Sequence, residues 1–274
     1  MIVVTGATGN VGRPLVRALV AAGEQVTAVS RHSPRESAAG VRHHQADLAE
    51  PQTLKPALDG AETLFLLTSG DFMAAGGDLG QVLDVVRASG VRRVVLLSSL
   101  GVSTGDHPSE MEDAVRQSGL GWTMLRPGGF HSNTLQWAGA VRAGRTVAAP
   151  FGDVALPTVD PDDIAEAAAV VLRDASHAGR VHELTGPAPV SPRQQAAAIG
   201  GALGEPVRFV EQTRAEARAE MARFMPEPVA DATLAMLGAP SDGLLRVRPD
   251  VERLLGRPPR SFAEWAARNA AAFR

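Results

Sequence analysis

The first twelve residues place a glycine-rich turn between a short apolar run and an amphipathic stretch. The run at residues 2–4 suits a buried parallel strand, and the pattern of residues 11–22 predicts a helix. The turn between them reads TGATGNVG. Strand, glycine turn and helix in this order begin a βαβ unit whose helix N–H groups face phosphate oxygens. The opening therefore predicts an α/β fold and a dinucleotide-binding loop.

Each glycine of the turn has a separate expected role. Gly6 lets the chain turn sharply off the strand, Gly9 admits a pyrophosphate against the backbone, and Gly12 lets the helix pack closely on the sheet. The residues expected to hold the dinucleotide here are Gly6, Thr8, Gly9, Asn10, Val11 and Gly12.

Apolar strand patterns alternate with helical patterns as far as residue 130. This alternation predicts a Rossmann-type doubly wound parallel sheet, covered by helices on both faces. Beyond that point Pro and Gly become more frequent, and helical segments are expected at residues 162–173, 192–203, 214–223 and from 262 onward. We expect a dinucleotide-binding core over residues 1–130. Residues 131–274 would form mostly a small substrate lobe, with some segments returning to the core sheet.

Composition restricts the classes of partner. The net charge of −3 gives no electrostatic reason to expect nucleic acid or an anionic membrane, and no apolar run approaches the ~20 residues of a membrane span. The absence of cysteine excludes disulfides and thiol catalysis, and no His or carboxylate set has metal-ligand spacing. Because the first strand begins almost at Met1, no secretory signal is expected and the cytoplasm is the expected location. The sequence does not decide whether the chain forms a homodimer.

Several segments beyond the opening carry a resemblance to a known family. They are the SGLGWTMLRPGGFHSN block from Ser118 to Asn133, VDPDDIA from Val159, HELTGP from His182 and GRPPRSFAE from Gly256. With the G-x-x-G-x-x-G spacing of the opening, they resemble the short-chain dehydrogenase/reductase superfamily. Within it they are similar to NmrA-like proteins and their NAD(P)H:quinone reductase relatives. The resemblance covers nearly the whole chain.

The end of the second predicted strand bears on the form of the cofactor. An NAD-selective site places Asp or Glu there to hold the ribose 2′-hydroxyl, whereas this chain has Ser30 and Arg31. A guanidinium pairs with a 2′-phosphate through charge-assisted hydrogen bonds, so NADPH is favoured over NADH. The alternative is that Arg31 is a solvated loop charge.

The resemblance implies further cofactor contacts at the ends of later strands. Asp47 and Leu48 match the pair that frames adenine, although Asp47 is also an ordinary turn or cap residue. Contacts near the nicotinamide are expected from Leu67, Thr68, Ser69, Ser98, Pro127, Gly128 and Phe130. For the segment from Pro127 to Phe130, a simple strand-exit turn is the alternative.

The Tyr-x-x-x-Lys machinery of the superfamily is missing. The chain has no tyrosine, and Lys55, its only lysine, lies in an early helical segment. His107 is the best local substitute, and His131 is a second candidate proton donor, because imidazole titrates near neutrality. For either histidine a structural role is the alternative. Ser98 and Ser99 could donate a hydrogen bond to a substrate carbonyl.

Two functions are therefore weighed. In the first, hydride passes from NADPH to a quinone or a related electron-poor carbonyl, without flavin or metal. The planar small-molecule substrate would contact Phe72, Met73, Phe130, Asn133, Trp137 and Phe151, with Phe72 and Met73 as an apolar lid or as plain loop packing. In the second, the protein is an NmrA-like redox sensor that binds the dinucleotide without turnover.

Overall fold

The computed structural model describes residues 1–32, 40–68, 70, 72 and 75–274. The chain divides into two compact units, each assembled from three separate segments. The first unit comprises Met1–Pro127, Pro161–Leu184 and Asp250–Arg257. The second comprises Gly128–Asp160, Thr185–Pro249 and Pro258–Arg274.

Strands and helices alternate along the described residues. The strands are β1 (Ile2–Val4), β2 (Val26–Ser30), β3 (Val41–Gln45), β4 (Thr63–Leu66), β5 (Arg93–Leu97), β6 (Gly121–Pro127), β7 (Thr146–Ala149), β8 (Arg180–Leu184) and β9 (Arg208–Glu211). The α-helices are α1 (Gly12–Ala21), α2 (Lys55–Leu58), α3 (Leu79–Ala88), α4 (Leu100–Thr104), α5 (Glu110–Gln117), α6 (Ala138–Gly144), α7 (Pro161–Arg173), α8 (Pro192–Leu203), α9 (Arg214–Met221), α10 (Glu227–Gly238), α11 (Asp242–Leu245), α12 (Asp250–Leu255) and α13 (Phe262–Arg268). Short 3₁₀ helices cover Pro51–Leu54, His131–Trp137, Ala175–His177 and Ala270–Phe273.

A parallel sheet forms the centre of the first unit. Over the described residues its order is β3-β2-β1-β4-β5-β6-β8. The inner strands β1 and β4 are wholly buried, and apart from Thr63 they consist of Val, Ile, Leu and Phe, as expected for a sheet covered on both faces. The order reverses between β1 and β4, where doubly wound folds bind their ligands. The predicted Rossmann-type fold is confirmed.

Two helices from distant parts of the chain pack against each other in this unit. Helix α1 buries Leu15, Val16 and Leu19, and it packs on α7, whose Ile164 and Ala168 are fully buried. Helix α12 packs on α7 and on the outermost strand β8. The first unit therefore depends on segments that follow its main body by many residues.

The second unit contains a small parallel pair, β7 with β9, and a helical core. Helix α8 packs against α13, and the buried rings of Phe262, Trp265 and Phe273 centre this core. Helices α8, α9 and α13 each begin with a capping box, in which an N-cap hydroxyl and a Gln or Glu three residues later satisfy exposed N–H groups.

Some elements depart from the predicted pattern. The sequence pattern did not locate strand β8 or helix α10, although some segments beyond residue 130 were expected to return to the core sheet. Strand β8 is an edge strand of mixed burial with His182 and Glu183 inside it, and α10 carries Pro228 near its start, where proline is tolerated. Among the residues that the structure describes, every helix is too short or too polar to span a bilayer.

Candidate functional site

The glycine turn between β1 and α1 has the geometry of a phosphate-binding loop. Gly6 has φ +62°, a left-handed conformation that glycine adopts without strain. A Cβ on Gly12 would lie 2.1 Å from the Gly6 carbonyl oxygen, whereas one on Gly9 would lie 3.2 Å from the same atom. Thr8, Gly9 and Asn10 are exposed, so the outer side of the loop is accessible. The loop thus fits a dinucleotide pyrophosphate. Gly6 makes the predicted sharp turn, Gly12 is closely packed against the backbone of its own turn, and pyrophosphate contact at Gly9 stays a prediction.

Thr5 joins the two strands at the switch point, which the sequence did not indicate. Its buried hydroxyl accepts a 2.8 Å hydrogen bond from the Leu67 N–H and lies 3.1 Å from the Leu67 carbonyl oxygen. The Leu67 side chain in turn packs against Gly6. Hydrogen bonding and packing therefore fix the end of β4 to the glycine turn, which places Leu67 and Thr68 beside the loop.

One basic side chain contacts the same loop, and two more follow the end of β2. Arg13, in the first turn of α1, donates a 2.9 Å hydrogen bond to the Thr8 carbonyl, and its side chain is exposed. Arg31 and His32 follow β2 and are exposed as well. The Ser30 hydroxyl donates to the His32 carbonyl at 2.7 Å and so tightens this turn. Arg13 went unrecognised in the sequence because a single arginine in an amphipathic helix carries no distinctive signal.

Asp47 has the contacts of a turn residue. Its carboxylate accepts a 3.0 Å hydrogen bond from the Ala49 N–H, and its own N–H donates to the Thr53 hydroxyl at 3.1 Å. Leu48 is half-buried beside it. The turn conformation is therefore observed, and adenine contact by Asp47 and Leu48 stays a prediction. Ser69 lies outside the described residues.

A buried carboxylate organises the ends of β5 and β6. Glu112 on α5 is 1 % exposed, and its two oxygens accept hydrogen bonds from Arg126 at 2.7 and 2.6 Å. The Ser98 hydroxyl donates to Glu112 at 2.6 Å, and Arg116 donates at 2.7 Å. Burial alone raises the pKa of the Glu112 carboxyl. The hydrogen bonds from Arg126 and Ser98 and the charges of Arg126 and Arg116 outweigh burial, so this pKa lies below its ordinary value.

Ser99 and His107 form a second cluster directly beside the first. The Ser99 hydroxyl oxygen accepts a 3.2 Å hydrogen bond from the Gly101 N–H and lies 2.7 Å from Nδ1 of His107. The backbone N–H of His107 donates a 3.0 Å hydrogen bond to the Gly101 carbonyl. The structure thus brings together Ser99 and His107, which the sequence proposed separately. Ser98 is held by Glu112 instead, and a hydroxyl whose hydrogen is donated to a carboxylate does not donate to a substrate carbonyl.

The segment that follows β6 begins the second unit. Phe130 is half-buried and bridges to Val159, and Asn133 is exposed in the 3₁₀ helix that follows. His131 is 1 % exposed, with its ring edge-on to Phe262 and Trp265 and its Nδ1 2.9 Å from the Thr158 hydroxyl. This burial favours the structural role for His131 over that of a proton donor. Pro127 is buried at the end of β6 and Gly128 is half-buried.

The remaining substrate candidates separate by environment. Phe72 is 4 % exposed in the core of the first unit, with its ring against Gly77, which favours packing over a lid. Met73 lies outside the described residues. Trp137 packs against the core of the second unit. Phe151 is half-buried with φ +54°, a strained conformation for an aromatic residue, and its ring lies against Gly238.

Within the described ranges, no three His, Asp or Glu side chains come together in a way that could hold a metal ion. Two arrangements in the first unit bear on dinucleotide chemistry: the glycine loop with Arg13, and the two serines with their partners.

Comparison with known proteins agrees with this site. A family model described as NAD(P)H-binding matches residues 6–175. The chain is 37% identical to a (4-alkanoyl-5-oxo-2,5-dihydrofuran-3-yl)methyl phosphate reductase of Streptomyces griseus, covering 100% of this chain and 99% of that protein. It is 34% identical to an NAD(P)H azoreductase of Xenophilus azovorans, again over 100% and 99% of the two chains.

A solved structure also matches the chain over nearly its whole length. The fold is similar to that of the NADPH-dependent quinone oxidoreductase of Escherichia coli in complex with NADPH, with a TM-score of 0.83 and 28% identity. The match covers 98% of this chain and 99% of that one. The family model, the glycine loop and the full-length matches agree, and the chain therefore belongs to the NAD(P)H-binding family that this model describes.

Proposed function

We propose that this chain is an oxidoreductase that passes hydride from NADPH directly to an electron-poor conjugated acceptor of the quinone class. The observation that carries the proposal is the presence of a dinucleotide loop after β1 and a hydroxyl–imidazole pair after β5, two strands away in the same sheet, in a chain without tyrosine. The reductase names of its full-length relatives support the same chemistry.

Arginine side chains support NADPH as the preferred form of the cofactor. Gly6, Gly9 and Gly12 would admit the pyrophosphate, while Arg31 after β2 would pair with the 2′-phosphate. Arg13 adds a second positive charge at the loop. The opposite preference would need a carboxylate at the end of β2, and Ser30 and Arg31 stand there instead.

The acceptors that the relatives are named for share one electronic feature. An acyl-substituted dihydrofuranone, an azo compound and a quinone each contain an electron-poor double bond: a C=C bond conjugated to carbonyl groups, an N=N bond, and a conjugated dicarbonyl system. Hydride addition to such a system leaves its negative charge on a delocalised oxygen or nitrogen. The resulting anion needs little help from the protein, which suits a site that lacks the Tyr-x-x-x-Lys pair.

The bound dinucleotide supplies the hydride, and this chain's residues bind, orient and protonate. Phe130, Trp137 and Phe151 are the proposed apolar contacts for a planar acceptor, with Asn133 as a polar contact. Ser98, which is fixed by Glu112, can accept a hydrogen bond near the nicotinamide.

The test is turnover by the purified full chain without added flavin. The absorbance of reduced nicotinamide is followed with benzo-, naphtho- and anthraquinones, and NADPH and NADH binding are titrated in parallel by fluorescence. Oxidation of NADPH by at least one quinone, with one hydroquinone formed per NADPH, is the expected result.

Two outcomes count against the proposal. Tight NADPH binding without turnover on any quinone would indicate a dinucleotide sensor in place of a reductase. Turnover that appears only after flavin is added would exclude direct hydride transfer. A bound-flavin absorbance spectrum of the purified protein separates this second case from slow direct transfer.

A further inference from the structure

We propose that Ser99 and His107 act as a two-residue proton relay, in which Ser99 protonates the reduced acceptor and His107 resupplies Ser99. This inference rests on the proposed function, since it concerns the proton that accompanies the hydride. It assigns different roles to Ser98 and Ser99, two adjacent serines that look equivalent in the sequence.

The hydrogen of Ser98 is unavailable for this task. A hydroxyl has one hydrogen and two acceptor lone pairs, and the Ser98 hydrogen is donated to Glu112 at 2.6 Å. The carboxylate is ionised, because Arg126 and Arg116 hold its pKa below the ordinary value. A charge-assisted bond of this kind is about twice as strong as a neutral one. Ser98 is therefore fixed as an acceptor.

Ser99 has the opposite arrangement. When His107 carries hydrogen on Nδ1, the Ser99 oxygen accepts from that N–H at 2.7 Å and from the Gly101 N–H at 3.2 Å. Both lone pairs are then occupied, so the Ser99 hydrogen must point away from these two donors. Ser99 is half-buried at the carboxyl end of the sheet, the side on which doubly wound folds bind their ligands.

The position of His107 is enforced by its surroundings. A Cβ on Gly101 would lie 2.7 Å from the imidazole Cγ and Nδ1, so the ring occupies space that only glycine at position 101 leaves open. The backbone of His107 is held by its N–H bond to the Gly101 carbonyl. The side chain is otherwise exposed, so the imidazole can take up a proton from water.

The proposed step is balanced. The reduced dinucleotide supplies two electrons and one hydrogen as hydride, and the terminal oxygen or nitrogen of the acceptor gains a negative charge. The Ser99 O–H bond breaks as its proton passes to that atom. The Ser99 oxygen regains a proton from Nδ1 of His107 in its doubly protonated, cationic form, which leaves a neutral imidazole with its hydrogen on Nε2, and solvent then returns the imidazole to the cation. The net reaction is acceptor plus hydride plus one proton.

The test uses the quinone that the wild-type chain reduces fastest. His107→Ala and Ser99→Ala should each lower kcat by about 10- to 100-fold, at or below the lower end of what general acids contribute, because the quinone product anion is weakly basic. The KM for the quinone and the Kd for NADPH should change less than about threefold, since neither residue is assigned to binding.

Added imidazole distinguishes a relay from a structural role. Imidazole should restore kcat of His107→Ala by at least about fivefold, because it can occupy the space beside Gly101 and protonate Ser99, and it should not restore Ser99→Ala. Ser99→Thr, which keeps a hydroxyl, should retain most of the activity.

Each unfavourable result has its own meaning. An unchanged kcat in both alanine variants, or equal rescue of both by imidazole, would overturn the relay while leaving the reductase proposal intact. Failure of the wild-type chain to reduce any quinone would instead overturn the reductase proposal itself.

Discussion

At the scale of single residues, the acidic group with the most contacts in the candidate site is one that the sequence did not single out. Glu112 binds Ser98 and Arg126, each fourteen residues away along the chain, so no local pattern connects them. Breaking a buried ion pair strands its partner charge in a medium that solvates it poorly. Glu112 should therefore contribute both to stability and to the fixed state of Ser98.

Glu112→Gln should lower the free energy of unfolding by about 3 kcal/mol at neutral pH. Because the pKa of Glu112 is lowered in the folded state, its contribution is present above the ordinary value of 4.5 and is lost as pH falls through the folded-state value. The difference between wild type and variant should therefore shrink in acid, which urea unfolding at several pH values would measure. Glu205→Gln, at an exposed ion pair, is the control and should change stability by less than about 1 kcal/mol.

Arg31→Asp should weaken NADPH binding at least about tenfold and leave NADH binding within about threefold, because a guanidinium–phosphate pair is replaced by like charges. Fluorescence titration of both dinucleotides measures the change. Arg17→Asp alters the net charge equally from an exposed position on α1 and should affect both cofactors alike. An equal loss for the two cofactors in Arg31→Asp would remove the 2′-phosphate assignment.

Some residues of the candidate site could be predicted from the sequence, and others could not. The glycine turn was predictable because its pattern consists of residues that follow one another in the sequence. The separation of Ser98 from Ser99, and the burial of Phe72 and His131, depend on partners that only the folded chain brings close. An apolar or imidazole side chain near a strand end reads the same in sequence whether it faces a ligand or the core.

At the scale of elements, the turn between β1 and α1 contains two glycines that we expect to be needed for different reasons. Gly12 faces the backbone of its own turn, whereas Gly9 is exposed. The same substitution at these positions should therefore damage different properties. We expect Gly12 to matter for folding and Gly9 for dinucleotide binding.

Gly12→Ala should destabilise the fold by about 1–3 kcal/mol, since its methyl group would overlap the Gly6 carbonyl. Gly9→Ala should instead weaken NADPH binding at least about tenfold with a much smaller change in stability. Thermal unfolding and fluorescence titration of both variants test the contrast. Gly139→Ala, where a Cβ meets nothing within 4 Å, is the control for both measurements. Unimpaired NADPH binding by Gly9→Ala would contradict the assignment of the loop.

The helices and strands were largely predictable where the spacing of apolar residues in the sequence matches the residues that are buried in the fold. The strands predicted at residues 2–5, 25–30, 41–46, 63–68, 93–98 and 122–125 match β1 to β6 to within about two residues. Five of them are the largely apolar runs typical of buried parallel strands, whereas β3 is polar and only partly buried. Helix α10 was missed, since its apolar residues do not concentrate on one face and tertiary contacts with α9 replace that signal. Ion pairs from Arg218 to Glu227 and Asp231 provide much of this contact.

At the scale of the whole molecule, each compact unit is interrupted by the other along the chain. The first unit takes its last segment from Asp250–Arg257. In that segment Val251 is fully buried, the Asp250 carboxylate accepts the Glu183 N–H at 2.9 Å, and Arg257 pairs with the buried Asp163 at 2.7 Å. A late and short segment therefore contributes to the stability of the dinucleotide-binding unit.

Val251→Ala should lower the free energy of unfolding by about 2 kcal/mol, because a fully buried side chain loses two carbon atoms and leaves a cavity. Faster amide hydrogen exchange in β8 and α7 should accompany the loss. Val247→Ala makes the same change four residues earlier at a 43 % exposed position, and it should stay within about 0.5 kcal/mol of wild type. Equal effects at the two positions would show that α12 adds nothing to the first unit.

The interleaving of segments also sets the order in which the molecule can be completed during translation. When β6 has left the ribosome, its outer edge stays open until β8 is synthesised, and α12 follows only after α8 to α11. The second unit likewise waits for α13. Neither unit can close as an early N-terminal product. The outer edge of β6 stays unpaired while residues 128–179 are made, and both units acquire their last packed segments as the end of the chain emerges.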